Sequence, residues 1–227
     1  MNNFFLRVGL DNINNVSLKK QLLRIQLTLI ISFATAFAGI VSVYILSRLF
    51  GAPLSEFTRD PAAITHSKFY IGFLSYLGIM LWSSATTICL FGAFLLKYGK
   101  RNRQFTDFLL FSGILSLILT LDDAFLLHET VMPNYFHIPE TGIYLGYFMI
   151  SIGYLVYFFR RILSTDYLLL VIALLSLGLS IFIDKAFSFS NLETFIEDGF
   201  KFLGIVFWLA YFSRVALVTV HDSLVGE

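Results

Sequence analysis

Six long apolar segments constrain the fold of this 227-residue sequence more than any other feature. A hydrocarbon core of about 30 Å needs roughly 20 helical residues to cross it, and each segment is about that long or longer. The composition agrees, because a chain that is 57% hydrophobic and 14% charged cannot be covered by a soluble surface. The sequence therefore predicts an all-α, polytopic integral membrane protein, a six-transmembrane-helix bundle with spans at about Leu22–Leu49, Phe69–Leu96, Phe105–Val131, Thr141–Phe159, Tyr167–Phe187 and Thr194–Leu217.

Basic residues predict the direction in which the six helices run. They fall in every second loop, so the positive-inside rule places both termini in the cytoplasm and the protein in the cell membrane, inner or plasma. The net charge of +1 and the lack of a single basic patch give no reason to expect nucleic acid. The basic groups are Lys19, Lys20 and Arg24; Lys97, Lys100, Arg101 and Arg103; Arg160 and Arg161; and Arg214.

The chain has no fixed repeat and no linker that would divide it. We expect one six-helix transmembrane domain over residues 22–217 and a cytoplasmic tail over residues 218–227. In residues 1–21, Leu6 and Leu10 begin an apolar series at helical spacing. That pattern is typical of a short interfacial helix on the cytoplasmic face, and a frayed polar terminus is the alternative.

Four ionisable residues lie close together in the third segment: Asp122, Asp123, His128 and Glu129. A charged side chain at the centre of a bilayer costs about 2.5–3.5 kcal/mol on insertion scales, so such residues are functional candidates. If the segment is one helix to Val131, Asp122 and Asp123 lie about 12 Å below its outer end. His128 and Glu129 are then expected near the outer rim.

A second charged group opens the last segment, where Glu197, Asp198 and Lys201 follow one another. The predicted topology brings this group to the same outer half of the bundle as Asp122 and Asp123, with Lys201 at a similar depth to the two aspartates. Spacings of four and three residues predict that Lys201 pairs with Glu197 or Asp198 on its own helix. Acids outnumber bases in these groups even with His128 protonated, so the site is expected to bind a proton, a cation or a small cationic ligand.

A polar track leads inward from these acids. Ser112, Ser116 and Thr120 share one stripe of the third helix with Asp123. The track and the acids favour a proton or cation transporter or channel as the first functional hypothesis. Serine and threonine in membrane helices also commonly bond the backbone or a neighbouring helix, which is the structural alternative.

Two other functional classes stay open. Asp122, Asp123, His128 and Glu129 offer oxygen and nitrogen ligands for a divalent metal, so a metal-dependent or acid–base enzyme acting on a lipid or small molecule is the second hypothesis. A non-catalytic subunit that binds a partner protein, or a homo-oligomer, is the third. The four-residue spacing of Glu197 and Lys201 also occurs in the last helix of microbial rhodopsins, but six spans and a lysine near one helix end argue against retinal.

Overall fold

A computed structural model of the protein describes residues 18–59, 61–68, 70–99, 103–186 and 191–225. In these residues the regular structure is helical and no strand occurs, which confirms the all-α prediction. A π-helical turn at Leu127–Val131 interrupts the α-helices, which we number α1 to α9 in chain order. They are α1 (Leu18–Phe50), α2 (Leu54–Thr58), α3 (Pro61–Thr65), α4 (Phe73–Tyr98), α5 (Arg103–Phe125), α6 (Met132–Phe136), α7 (Glu140–Leu163), α8 (Leu168–Ala186) and α9 (Asn191–Val225).

Six of these helices are long and apolar enough to cross a membrane, which confirms the number of predicted spans. The orientation of the termini remains a prediction. The proposed interfacial helix falls largely on residues 1–17, outside the described residues. The candidate spans are Ile25–Phe50, Phe73–Tyr98, Arg103–Phe125, Glu140–Leu163, Leu168–Ala186 and Leu192–Ser223.

The chain divides into two compact units, Met1–Ile71 and Gly72–Glu227. In the first unit, α1 is a 33-residue helix. The chain then turns through Gly51, whose positive φ of 65° is readily adopted by glycine. Its residues Ile25–Phe50 form one of the helices that are long and apolar enough to cross a membrane.

The second unit contains the core and the candidate site. Its long helices alternate in direction. The last residues of α5 and α8 lie at the same end of the unit as the first residues of α4, α7 and α9. We call this the acidic end and the opposite one the basic end. Aromatic side chains fill the half of the core towards the basic end, where Phe108, Phe158 and Phe212 are each at most 4% exposed. Ring centroids of Phe108 lie 5.1 Å from Phe158 and 6.0 Å from Phe212.

Two glycines let neighbouring helices approach closely. A Cβ added at Gly113 on α5 would lie 2.6 Å from a side-chain atom of Leu90 on α4. One added at Gly204 on α9 would lie 2.6 Å from the Leu177 side chain and 3.0 Å from the Ala173 carbonyl oxygen on α8. Small residues serve this purpose at helix interfaces in membranes, where van der Waals packing drives association.

The third predicted span is wrong at its outer end, because the helix doesn't continue from Phe105 to Val131. Helix α5 ends at Phe125, and Leu126 takes a left-handed conformation with φ 50°. The π-helical turn follows, and α6 begins at Met132. Hydrophobic periodicity continues through this stretch, so the sequence pattern contained no signal for the break.

The Asp122 carboxylate explains why α5 stops here. Its Oδ1 accepts the backbone N–H of His128 at 3.0 Å, and its Oδ2 contacts the imidazole Nδ1 at 2.5 Å. A side chain that accepts a backbone N–H six residues ahead competes with continuation of the α-helix. Asp122 and Asp123 therefore lie in the last turn of α5, rather than about two turns below its end.

We predict that Gly204→Ala destabilises the protein despite the higher helix propensity of alanine. The new methyl group overlaps Leu177 and the α8 backbone, and overpacking costs about 1–3 kcal/mol. Gly178→Ala on α8 is the matched control, since nothing lies within 4 Å of its added Cβ. Thermal unfolding in detergent should show a melting temperature lower by about 2–8 °C for Gly204→Ala only. Equal melting temperatures for both variants would contradict the close approach.

Candidate functional site

The imidazole of His128 lies between two carboxylates at the acidic end. Its Nδ1 contacts Asp122 Oδ2 at 2.5 Å, and its Nε2 lies 3.4 Å from Glu129 Oε1. The Asp122 and His128 side chains are buried, at 5% and 8% exposure, whereas Glu129 is 51% exposed. The histidine therefore connects a carboxylate inside the protein with one at its surface.

The two carboxylates keep the histidine protonated at neutral pH. Burial acts to lower the pKa of His128, but hydrogen bonds and charge interactions with Asp122 and Glu129 outweigh it and raise the pKa to about 9. The hydrogen bond to His128 in turn lowers the pKa of Glu129. An imidazolium donates from both ring nitrogens, so it suits a position between two acceptors.

Two tyrosines of α7 cover this group. The Tyr144 ring centroid lies 5.4 Å from that of His128, and the Tyr147 hydroxyl interacts with the Asp122 carboxylate. The Lys185 ammonium on α8 lies 5.0 Å from the Tyr144 centroid and pairs with Glu140 at 3.0 Å. The histidine is thus enclosed by side chains from several elements, which accounts for its burial.

Asp123 makes a separate set of contacts that joins three helices. Its Oδ1 accepts a hydrogen bond from Lys201 Nζ on α9 at 2.8 Å, and its Oδ2 accepts one from Trp82 Nε1 on α4 at 3.1 Å. The Asp123 side chain is 11% exposed and that of Lys201 is 34% exposed. Trp82 was not a candidate in the sequence, although a tryptophan inside an apolar helix needs an acceptor for its N–H.

The predicted pairing of Lys201 within its own helix is wrong. Among the described residues, Lys201 forms its ion pair with Asp123, while Asp198 is exposed and Glu197 is half-buried. The Asp123 carboxylate is more deeply buried than that of Asp198, so it has the greater need of a charged partner inside the protein. The predicted similar depth of Asp123 and Lys201 agrees with this contact.

A small cavity lies beside the Asp123–Lys201 pair. Its volume is about 40 Å³, room for on the order of two or three water molecules. Asp198 also lines it, as do Leu74, Ser75, Gly78, Phe202 and Ile205. In this conformation the cavity has room for water or a small ion but not for an organic substrate.

The Ser112, Ser116 and Thr120 track is buried and bonded to protein groups. Each hydroxyl donates to the backbone carbonyl four residues earlier. The same oxygens also meet groups on other helices: Tyr154 OH at 2.6 Å, Trp208 Nε1 at 2.9 Å and Thr86 Oγ1 at 3.3 Å. These bonds tie α5 to α7, α9 and α4, and they support the structural alternative for the track.

The four residues considered as metal ligands do not converge on one point. In the part of the chain that the structure describes, no group of three or more histidine, cysteine, aspartate or glutamate side chains could hold a metal ion. Asp122, His128 and Glu129 follow one another with the imidazole between the acids, and Asp123 bonds Lys201 and Trp82 instead.

The fold and the composition define a multi-pass helical membrane protein, and the site gives it buried charged pairs at one end. Residues 27–215 match the family model described as "Domain of unknown function (DUF8692)". The chain belongs to this family. No curated protein and no solved structure matches it significantly.

We predict that Asp123 and Lys201 are strongly coupled in stability. Lys201→Met leaves a buried carboxylate unpaired, and Asp123→Asn leaves a partly buried ammonium without its counter-charge. A double-mutant cycle on thermal or denaturant unfolding should give a coupling energy of about 1–3 kcal/mol.

The Lys185–Glu140 pair is the matched control, since its side chains are 43% and 35% exposed. Its cycle, with Lys185→Met and Glu140→Gln, should give a coupling below about 1 kcal/mol. Additive effects at Asp123 and Lys201 would contradict the ion pair.

Proposed function

We propose that this protein is a proton-coupled membrane carrier that binds its proton at Asp122, His128 and Glu129. The observation that carries the proposal is the position of His128, in contact with a buried carboxylate on one ring nitrogen and facing an exposed carboxylate on the other. Histidine is suited to this task because each ring nitrogen can release a proton and take one up.

The proton would move between solvent and the protein interior in two exchanges. The imidazolium gives its Nε2 proton to Glu129, which exchanges it with water at the surface, and Nε2 takes a proton back by the same route. Release of the Nδ1 proton to Asp122 gives a neutral carboxylic acid and a neutral imidazole. With the positive-inside orientation, the acidic end faces the outside and the proton enters from there.

Protonation of Asp122 would alter the contacts that join the helices. Asp122 and Asp123 are consecutive, so the transfer replaces the Asp122–His128 ion pair by two neutral groups next to the Asp123–Lys201 pair. That pair and the Trp82 hydrogen bond connect α4, α5 and α9. A change in their strength is a direct way for a bound proton to shift a conformational equilibrium.

The packing favours a carrier over a continuously open channel. The polar track is occupied by internal hydrogen bonds, and aromatic side chains close the core towards the basic end. Passage would therefore require a change of conformation. The exposed or half-buried acids Glu197 and Asp198 at the acidic end favour a small cation as the second transported species.

We predict proton movement into proteoliposomes that carry a proton gradient and a membrane potential, with Na⁺, K⁺ or methylammonium supplied in turn. A pH-sensitive dye inside the vesicles reports the rate. His128→Gln keeps the size of the side chain but removes the exchangeable ring, and should lower the rate by about a hundredfold or more. His221→Gln is the matched control, because its side chain is 67% exposed and lies at the basic end.

Two results would overturn the carrier. One is a wild-type rate equal to that of empty vesicles with every cation supplied. The other is an unchanged rate for His128→Gln. Size-exclusion chromatography and melting temperatures establish that each variant is folded before its rate is compared.

A further inference from the structure

A second, larger cavity lies at the basic end of the Gly72–Glu227 unit. Its volume is about 900 Å³, within the range of cavities that hold small organic ligands. The loop after α7 and the last turns of α9 form its walls, and Phe105 of α5 contributes from one side. None of these residues belongs to the candidate proton site.

The length of α9 places this cavity near a membrane surface. Its 35 residues rise about 52 Å, more than the roughly 40–45 Å of a bilayer with its headgroups. Arg214 lies level with the α7–α8 loop, since its Nε donates to Asp166 Oδ2 at 2.7 Å. The α7–α8 loop lies between two candidate spans, and α9 continues for eleven residues beyond Arg214, to Val225, so the cavity would lie at the depth of lipid headgroups.

The α9 wall of the cavity presents a basic, an apolar and an acidic residue one after another along the helix. Arg214, Val218 and Asp222 follow one another at four-residue spacing on one stripe, and Val215 begins the stripe beside it. Val218 is 47% exposed and Leu163, across the cavity, is 50% exposed, so both side chains offer apolar surface. Asp222 lies about 12 Å further towards the end of the helix than Arg214.

The two charged groups have bonding capacity beyond their present partners. Arg214 uses its Nε for Asp166, which leaves the two Nη groups of its guanidinium to face a phosphate. The Asp222 carboxylate is 73% exposed, and the imidazole of His221 lies 3.6 Å away. Asp166, Asp222 and Arg214 together give the lining one more negative than positive charge, which disfavours a headgroup that is only anionic.

We propose that this cavity binds the headgroup of a phosphoethanolamine lipid. The phosphate lies against Arg214, the ammonium lies towards Asp222 with the ethylene group passing Val218, and one acyl chain follows Leu163 on the last turn of α7. The order of the charges along α9 matches the lipid, in which the phosphate is closer to the acyl chains than the amine is. An ammonium group also supplies the positive charge that the lining lacks.

Native mass spectrometry of protein from mixed vesicles tests this site. The vesicles contain ethanolamine, choline and glycerol phospholipids in equal amounts with the same acyl chains. We expect wild-type protein to retain the ethanolamine lipid in preference to the other two. Arg214→Gln and Asp222→Asn should each lower its occupancy about tenfold, the effect of losing one charged hydrogen bond.

Matched variants separate this site from general charge effects. Arg160→Gln removes an exposed arginine at the same end, and Asp107→Asn removes a half-buried acid of α5; both should retain the preference. Soluble phosphoethanolamine should compete weakly, because it lacks the acyl chain. If Arg214→Gln fails to fold, Arg214→Lys replaces it in the measurement, because it keeps the charge but loses the forked donor, and it should also lower the occupancy of the ethanolamine lipid.

Equal retention of the three lipids by wild-type protein would overturn the proposal. So would undiminished ethanolamine lipid on both Arg214→Gln and Asp222→Asn, or an equal loss of that lipid on Arg160→Gln.

Discussion

The contact between Asp122 and His128 determines the structure of the acidic end. One carboxylate accepts both the backbone N–H and the imidazole of the same histidine, and this ends α5 at Phe125. The π-helical turn that results carries His128 back into the protein, where it is 6% exposed. Without this contact, α5 would continue, and the imidazole would lie further out with no buried carboxylate within hydrogen-bonding distance.

The same contact gives two consecutive aspartates different partners. Neighbouring residues on a helix point about 100° apart, so Asp122 faces the histidine and Asp123 faces α4 and α9. Each carboxylate has its own charged partner, and these two ion pairs offset the desolvation free energy of placing two acids in an apolar helix. Their adjacency in the chain gives a bound proton at one pair an electrostatic effect on the other.

Sequence reasoning predicted the helices well and the site in part. Six apolar segments led to six candidate spans because length and hydropathy determine which helices can cross a membrane. The similar depth of Asp123 and Lys201 also followed from helix direction alone. The break after Phe125 could not be predicted, since it depends on a side-chain contact with the backbone rather than on periodicity. Trp82 was missed for a similar reason: its partner lies on another helix.

The protonation state of His128 is the most direct test of the proposed proton site. Nitrogen-15 NMR of the labelled imidazole, assigned by its loss in His128→Gln, gives its pKa in the folded protein. We predict a value of about 9 for the wild type. In Asp122→Asn the value should fall well below that, because burial still lowers the pKa and the carboxylate no longer raises it. A neutral His128 at pH 7 in the wild type, or an unchanged pKa in Asp122→Asn, would contradict the proton site.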